Sequence, residues 1–317
     1  MMTRHLKVKR SDAQEFIDIL KRSGFIDHLK RILVRDDAVL IPLLDSAPVS
    51  PSWEIVDTEP RLRISKNRPV STKTSFDQIG SVAILKIRNI DRAVEVARNL
   101  IEGSNTIRTV FLDTGIQGDS RLRTLALLAG EENYIVDHRE NSLRFRFDLR
   151  EVYFSPRLAT ERLLVSKQCQ PGQRVLDMFA GIGPFAITIA KLTGSWVEAF
   201  DVNPQCIKWL HENVIANHVE KLVSWRLGDS RKLIGDSGKF HRIIMNLPHS
   251  ASGFLEDASR HLLPEGRINY YEICNLDTLE ERMEEIRSLG LDLAYKRIVH
   301  GYAPGVFMHS LELKLKP

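Results

Sequence analysis

The sequence predicts an α/β protein: a parallel Rossmann-like sheet ending in an antiparallel β-hairpin, preceded by two smaller α+β domains. Three observations predict it. From about residue 160 onward, strand-like runs alternate with amphipathic helical segments, the pattern of a parallel sheet. A glycine-rich turn, Ala180-Gly-Ile-Gly-Pro184, lies between the first of these strands and the helix that follows. The last two strand-like runs are separated only by Gly301-Tyr-Ala-Pro-Gly305, which leaves no room for a crossover helix. The expected divisions are 1–68, 69–158 and 159–317.

Residues 1–50 read as a small α+β unit. Leu6-Lys7-Val8 alternates as a short strand, and Ser11 to Gln14 has the spacing of a capping box. Phe16, Ile17, Ile19 and Leu20 give the next helix an apolar stripe, Gly24 is positioned to end it, and 39–42 reads as a strand. Residues 45–73, rich in Pro, Ser and charge, read as a linker. Its run of Arg61, Arg63, Lys66, Arg68 and Lys73, with no acid between them, suits either a phosphate-lined contact or plain solvation.

Between 76 and 155 the pattern is again α+β. Residues 82–87 form a buried-strand run. Asp91 is placed to cap a helix with Ala93, Val94, Val96, Ala97, Leu100 and Ile101 facing inward, and Gly103 is placed to stop it. A strand is expected at 106–112. Leu143, Phe145, Phe147 and Leu149 alternate with Arg144, Arg146 and Asp148, a half-buried strand with a cationic outer face. Beyond 160, strands are expected at 174–178, 196–201, 222–227, 242–247 and 267–273, then a hairpin from 292–299 and 306–315 at the sheet edge. Five βα units and a terminal hairpin are what Rossmann-like methyltransferases look like, whereas nicotinamide-binding Rossmann domains normally lack that hairpin.

Composition narrows the class. The chain is 43% hydrophobic and 27% charged over 317 residues, which allows a sizeable core and excludes a disordered protein. No apolar run approaches the roughly 18–20 residues of a membrane span, and the opening MMTRHLKVKR has no signal-peptide pattern. Lys and Arg balance Asp and Glu beyond residue 166, so the net charge of +4 lies in the N-terminal half. Cys169, Cys206 and Cys274 lack metal-ligand spacing and read as buried small hydrophobes of a reduced, cytoplasmic protein without disulfide or bound metal.

The glycine turn carries the cofactor question. Gly181 and Gly183 let backbone approach a ligand, and Pro184 opens a helix where its missing donor costs nothing. The spacing also satisfies the dinucleotide fingerprint G-x-G-x-x-A, so it fits NAD, S-adenosylmethionine or a tight turn. Asp177, four residues before Gly181, suits the ammonium of S-adenosylmethionine and repels a pyrophosphate. Asp201 at the end of the second strand is placed for ribose hydroxyls, which does not discriminate, and Asp229 after the third for an adenine amino group. Helix capping is the alternative for each Asp. Asn246-Leu247-Pro248 ends the fourth strand at the carboxyl edge, where such sheets bind ligands. It resembles the Asn/Asp-Pro-Pro-aromatic element of amino-directed methyltransferases, with Leu247 and His249 at the second and fourth positions.

Ahead of the loop lies Tyr153-Phe-Ser-Pro-Arg-Leu-Ala-Thr-Glu-Arg162. Together with DMFAGIGPF, NLPHSASGFL and the stretch Phe76 to Lys86, it resembles the archaeal/eukaryotic-type tRNA (guanine(37)-N1)-methyltransferase family over most of the chain. The resemblance implies a class I fold and S-adenosyl-L-methionine held by Asp177, Phe179, Ala180, Gly181, Gly183, Asp201, Asp229 and Asn246. It implies tRNA as partner, met at the anticodon loop and tertiary core, and a monomer. Guanine N1 carries a proton, so attack on a sulfonium methyl needs a base at N1 and positive charge at O6. The resemblance assigns these to Glu161 and Arg121, with Arg123 as the alternative cation. A surface ion pair of Glu161 with Arg157 or Arg162 is the competing role. Asn246 is expected to hold the guanine edge, Tyr153 and Pro248 to shape its pocket, and Arg157 to contact RNA. Methylation of C7 of a wyosine precursor, aminocarboxypropyl transfer, a silent tRNA-binding protein and a nicotinamide oxidoreductase are the alternatives.

Overall fold

The computed structural model describes residues 3–27, 32–44, 46–58, 74–117 and 122–316. The basic run Arg61, Arg63, Lys66, Arg68 and Lys73, and Arg121, lie outside the described residues. The chain forms two compact units, Met1–Ser71 and Thr72–Pro317.

In the first unit, β1 (Thr3–Lys9) is followed by α1 (Ala13–Arg22), β2 (Leu33–Arg35), β3 (Ala38–Pro42) and β4 (Glu54–Thr58). The strands form an antiparallel sheet in the order β2-β3-β1-β4. Leu6, Leu20 and Ile41 fill its core. Gly24, at φ +70°, ends α1 as expected: the Phe25 N–H reaches the Leu20 carbonyl at 3.0 Å and the Gly24 N–H that of Lys21 at 3.2 Å. Two expectations need correction. The capping box does not form, because Ser11 donates to Asp12 and Gln14 to Asp18 instead of reaching the helix amides. The stretch read as linker contains β4, whose half-buried Ile55 and Val56 between Glu54 and Asp57 supply an edge to β1 behind a misleading Pro/Ser-rich lead-in.

The second unit opens with β5 (Phe76–Ile79), β6 (Val82–Leu85), α2 (Ile90–Gly103), β7 (Thr109–Gln117) and β8 (Leu122–Gly130), a sheet in the order β5-β6-β7-β8 with one parallel pair, β6 and β7. Asn89, not Asp91, caps α2: its side chain accepts the Arg92 N–H at 2.9 Å, and Asp91 lies in the first turn. β9 (Ile135–Glu140) and β10 (Leu143–Asp148) form a hairpin through Asn141 and Ser142, both at positive φ. Phe145 and Phe147 are buried and Arg144 and Arg146 exposed, as the alternation requires. Asp148 is buried rather than outward, because Arg150 folds back onto its carboxylate at 2.6 Å.

After α3 (Ala159–Ser166) come β11 (Arg174–Asp177), α4 (Pro184–Thr193), β12 (Trp196–Asp201), α5 (Pro204–Ala216), β13 (Val223–Leu227), α6 (Ser230–Leu233) and β14 (Phe240–Met245). α7 (Leu255–Arg260), β15 (Leu262–Cys274), α8 (Leu276–Ser288), β16 (Leu291–Ala303) and β17 (Val306–Leu315) complete the chain. The seven-stranded sheet runs β13-β12-β11-β14-β15-β17-β16. Its first five strands are parallel, and the β16–β17 hairpin is antiparallel at the edge. One buried cluster joins Val82 and Phe111 to Phe145 and Phe147 and on to Val175, Ala186 and Leu210. α5 covers the free edge of β10 with side chains in place of a strand. Asn213 Oδ1 accepts the Arg146 N–H at 2.7 Å, and Asn217 accepts from Arg144 N–H at 2.9 Å and donates to its carbonyl at 2.7 Å. The cysteines are free and buried, and burial pushes the Cys169 and Cys274 thiols up to about 11.

Candidate functional site at the carboxyl edge of the parallel sheet

The loop from β11 to α4 is held by hydrogen bonds, not by bulk. Asp201, at the end of β12, accepts the Gly181 N–H at 2.7 Å on one oxygen and the Asn203 N–H at 2.9 Å on the other. Burial raises its pKa, against the pull of these amides. Gly183 stands at φ +86°, and a Cβ there meets Leu210 Cδ1 at 2.2 Å, so the loop packs on α5 only with glycine. Gly181 differs: at φ +55° it has no atom within 4 Å of where its Cβ would stand. Its backbone borders open space.

That space is a cavity of about 770 Å³ lined by Phe179, Ala180, Gly181, Asp201, Asp229, Asn246 and Pro248 among others. Phe179 packs edge-on against Phe254, with ring centroids 4.9 Å apart, and the Arg231 guanidinium sits 4.8 Å from the Phe254 ring centre. Asp229 caps α6, accepting from the Arg231 N–H at 3.0 Å and from its guanidinium at 2.7 Å. Hydrogen bonding from Arg231 holds its carboxyl below the usual range. The capping role weighed in the sequence is therefore present, on a residue that also faces the cavity.

Asp177 sits elsewhere. It is 1% exposed and outside the cavity lining, and among the described residues neither oxygen has a hydrogen-bond partner. Burial pushes its pKa up to about 7 and the Asp201 charge adds to this, while the Phe179 and Ala186 amides pull the other way without reaching bonding geometry.

Across the cavity, Asn246, Pro248 and His249 follow β14, and the Ile273 N–H anchors the turn by donating to the Pro248 carbonyl at 3.1 Å. Among the described residues the buried Asn246 Oδ1 has no hydrogen-bond partner. The β16–β17 hairpin supplies His300, Tyr302 and Met308 to the same cavity.

The Tyr153 to Arg162 segment divides its residues. Tyr153, Ser155 and Arg162 line the cavity; Arg157 and Glu161 do not. Arg157 donates to Asp77 at 2.7 Å, and Arg123 donates to the same carboxylate at 3.3 Å while lying 5.4 Å from the Tyr153 ring centre. Arg162 is paired with Glu140. Burial pushes Glu140 up, but His138 and Arg162 outweigh it and hold the carboxyl below its ordinary range.

Glu161 is 1% exposed and accepts from the Tyr271 hydroxyl at 2.6 Å, the Ser310 hydroxyl at 3.2 Å and the Arg297 guanidinium. Burial, then the Glu161 charge, lifts the Tyr271 hydroxyl well above its ordinary range, which keeps it a donor. The surface pair of Glu161 with Arg157 or Arg162 is thus replaced by a pair of the buried carboxylate with the half-buried Arg297, a residue 136 positions away that local spacing does not reveal. Arg231, Phe254, His300, Tyr302 and Met308 are among the cavity residues to which sequence reasoning assigned no role, and Arg162 was considered only as a partner of Glu161. Only Arg162 left a signal, as the last residue of its motif.

Open backbone at Gly181 and an unspent acceptor at Asn246 fit a nucleoside-bearing ligand. Among the described residues no group of three or more His, Cys, Asp and Glu side chains is placed to hold a metal ion. Nor is any helix among them long and apolar enough to cross a membrane.

Residues 136–295 match the TRM5/TYW2 methyltransferase domain, 63–133 the TYW2 N-terminal domain and 6–50 the tRNA methyltransferase 5 N-terminal domain. The chain is 36% identical over 338 aligned residues to the tRNA (guanine(37)-N(1))-methyltransferase Trm5b of Pyrococcus abyssi, covering 99% of each. The crystal structure of that protein superposes with a TM-score of 0.72 over 100% of both chains. The structure of aTrm5 with tRNALeu is 26% identical at a TM-score of 0.71, again over 100% of both. Methanocaldococcus jannaschii Trm5 with adenosine is 28% identical at 0.67 over 99% of both. The fold with its terminal hairpin, the cavity at its carboxyl edge and a match along nearly the whole length agree, and the chain belongs to the Trm5 family of tRNA (guanine(37)-N(1))-methyltransferases.

Proposed function

We propose that this chain methylates N1 of guanosine 37 in tRNA with S-adenosyl-L-methionine as donor. The observation that carries the reading is the cavity between the Gly181 loop and Asn246-Leu247-Pro248, glycine backbone on one side and an unpartnered amide oxygen on the other. The names of the full-length relatives support it. Bound S-adenosyl-L-methionine supplies an electrophilic sulfonium methyl. Phe179, Ala180, Gly181, Asp201 and Asp229 hold its nucleoside end, Gly183 serves it by seating the loop on α5, and the Asp177 charge lies behind the loop. Tyr153 and Pro248 bound the base pocket and Asn246 takes the guanine edge. A base must relieve N1 of its proton and a cation must meet the charge growing on O6; we assign these to Glu161 and Arg121.

Its three donors leave the Glu161 carboxylate one of its roughly four acceptor sites for that proton, and the hydrogen bonds around it tighten as substrate binds. Arg157, half-exposed beside Asp77, is assigned an RNA contact. The partner is tRNA, met through the anticodon loop and the tertiary core. The chain acts as a cytoplasmic monomer, organised as 1–68, 69–158 and 159–317.

Incubation with donor and unmodified tRNA, followed by nucleoside mass spectrometry, tests the reading. The expected product is 1-methylguanosine at position 37. A gain other than one methyl, or a methyl on another nucleotide, overturns it.

A further inference from the structure

The turn after β14 ends on His249, where the amino-directed element it resembles carries an aromatic clamp. We propose that Tyr302, from the other side of the sheet edge, supplies that ring: the target nucleobase lies against Tyr302, with His249 bracing it. The inference deepens the proposed methylation and rests on it.

Tyr302 lies near the end of β16, just before the turn at Gly305, and lines the cavity. Its side chain is 52% exposed, although a large aromatic gains by burial. His249 meets it edge-on, with centroids 6.0 Å apart and planes inclined at 68°, so the contact fixes the ring while leaving a face open. Tyr153, the other aromatic at the mouth, already carries the Arg123 guanidinium over its ring. Among the described residues no cation stacks on Tyr302. Its neighbours Gly301 and Ala303 pair with Phe307 and Val306 across an irregularity of the β16–β17 ladder that holds Tyr302, and the Pro248 anchor on Ile273 holds the facing turn.

The polar side of the same space favours guanine. Among the described residues Asn246 Oδ1 is a buried acceptor without a donor, and guanine presents its N2 amino group beside the N1 to be methylated. A base seated on Tyr302 with its N2 amino group toward Asn246 satisfies the orphaned oxygen and leaves N1 free to react, whereas adenine carries only a C–H at that position. Stacking thus supplies affinity for any extruded base, and the amide supplies the choice.

The test compares Tyr302→Ala, Tyr302→Phe and Tyr302→Trp in the full-length protein. Tyr302→Ala is expected to lower kcat/KM for unmodified tRNA by roughly 10- to 100-fold, the range base–aromatic stacking supports. The Phe and Trp variants keep most of the activity. All three bind S-adenosylhomocysteine by calorimetry within about twofold of wild type, the substitution being on an exposed ring. Without turnover, 2-aminopurine in place of guanosine 37 is expected to be quenched by wild type and Tyr302→Phe but not by Tyr302→Ala. Wild-type kcat/KM in Tyr302→Ala, or an equal loss in Tyr302→Phe, overturns the stacking role. A wild-type chain that leaves guanosine 37 unmethylated overturns the activity beneath it, and does so before any variant is compared.

Discussion

Arg162 grips Glu140 through two parallel hydrogen bonds, Nε to Oε1 at 2.6 Å and Nη2 to Oε2 at 2.5 Å, with both side chains buried. The pair ties α3 to β9, and a third bond from Arg162 reaches the Ser155 carbonyl at 3.2 Å on the cavity wall. Removing either partner strands a buried charge, so Arg162→Ala or Glu140→Ala is expected to cost about 3–5 kcal/mol of folding stability. Replacing both by apolar residues should recover much of that loss. Urea denaturation of the two single variants and the double variant measures it, and additive losses in the double variant refute the pairing argument.

The Glu161 carboxylate separates structural from chemical work. Glu161→Gln keeps an acceptor for Tyr271 and Ser310 on one oxygen and removes the charge, the proton-accepting capacity and the acceptor for Arg297. If the residue acts as base, kcat should fall by roughly 10²- to 10⁴-fold with tRNA affinity preserved. Single-turnover methylation beside a tRNA binding isotherm reads both. A variant with full activity would return Glu161 to the role of a buried strut under Arg297.

How much of this was legible in the sequence follows from the range of each interaction. The strands at 196–201 and 306–315, the terminal hairpin and the glycine loop rest on local periodicity and turn chemistry, and the structure reproduces them. The loss of the capping box and the choice of Asn89 over Asp91 are contests between neighbouring polar side chains, each of which suits a cap. The ion pairs were not legible. Arg157 with Asp77, Arg162 with Glu140 and Glu161 with Arg297 span 80, 22 and 136 residues, and the two arginines beside Glu161 in sequence offer no sign of these distant partners. Tyr302 was hidden for the same reason, since it reaches the cavity only after the hairpin folds back on β15.

The two loop glycines should respond differently to the same substitution. Gly183→Ala places a methyl 2.2 Å from Leu210 Cδ1 at a left-handed φ, inside a core where Leu210 is fully buried. Overpacking and backbone strain together are expected to cost about 2–5 kcal/mol. Gly181→Ala meets no atom within 4 Å, so only the strain of about 1–2 kcal/mol applies, but its methyl projects into the cofactor cavity. The expected pattern is a large stability loss with Gly183→Ala and a selective loss of S-adenosylhomocysteine affinity with Gly181→Ala. Denaturation curves and calorimetry on both variants check it.

Asp177 should make the protein's stability depend on pH in a direction opposite to that of most carboxylates. Its folded pKa, about 7, lies above the ordinary 3.8, so the native state holds this proton more tightly than the unfolded chain. The resulting stabilisation is whole below about pH 4 and is lost as pH rises through about 7, a difference on the order of 4 kcal/mol. Asp177→Asn removes the ionisation, and the variant should therefore gain in melting temperature over wild type as pH goes from 5 to 8. Ligand binding sharpens the expectation. If the cofactor's ammonium faces this carboxylate through the loop, it favours the ionised form. S-adenosylhomocysteine should then stabilise wild type more at pH 8 than at pH 6, and stabilise Asp177→Asn equally at both. Thermal melts with and without ligand at the two pH values decide it, and a ligand shift independent of pH in wild type would detach Asp177 from the cofactor.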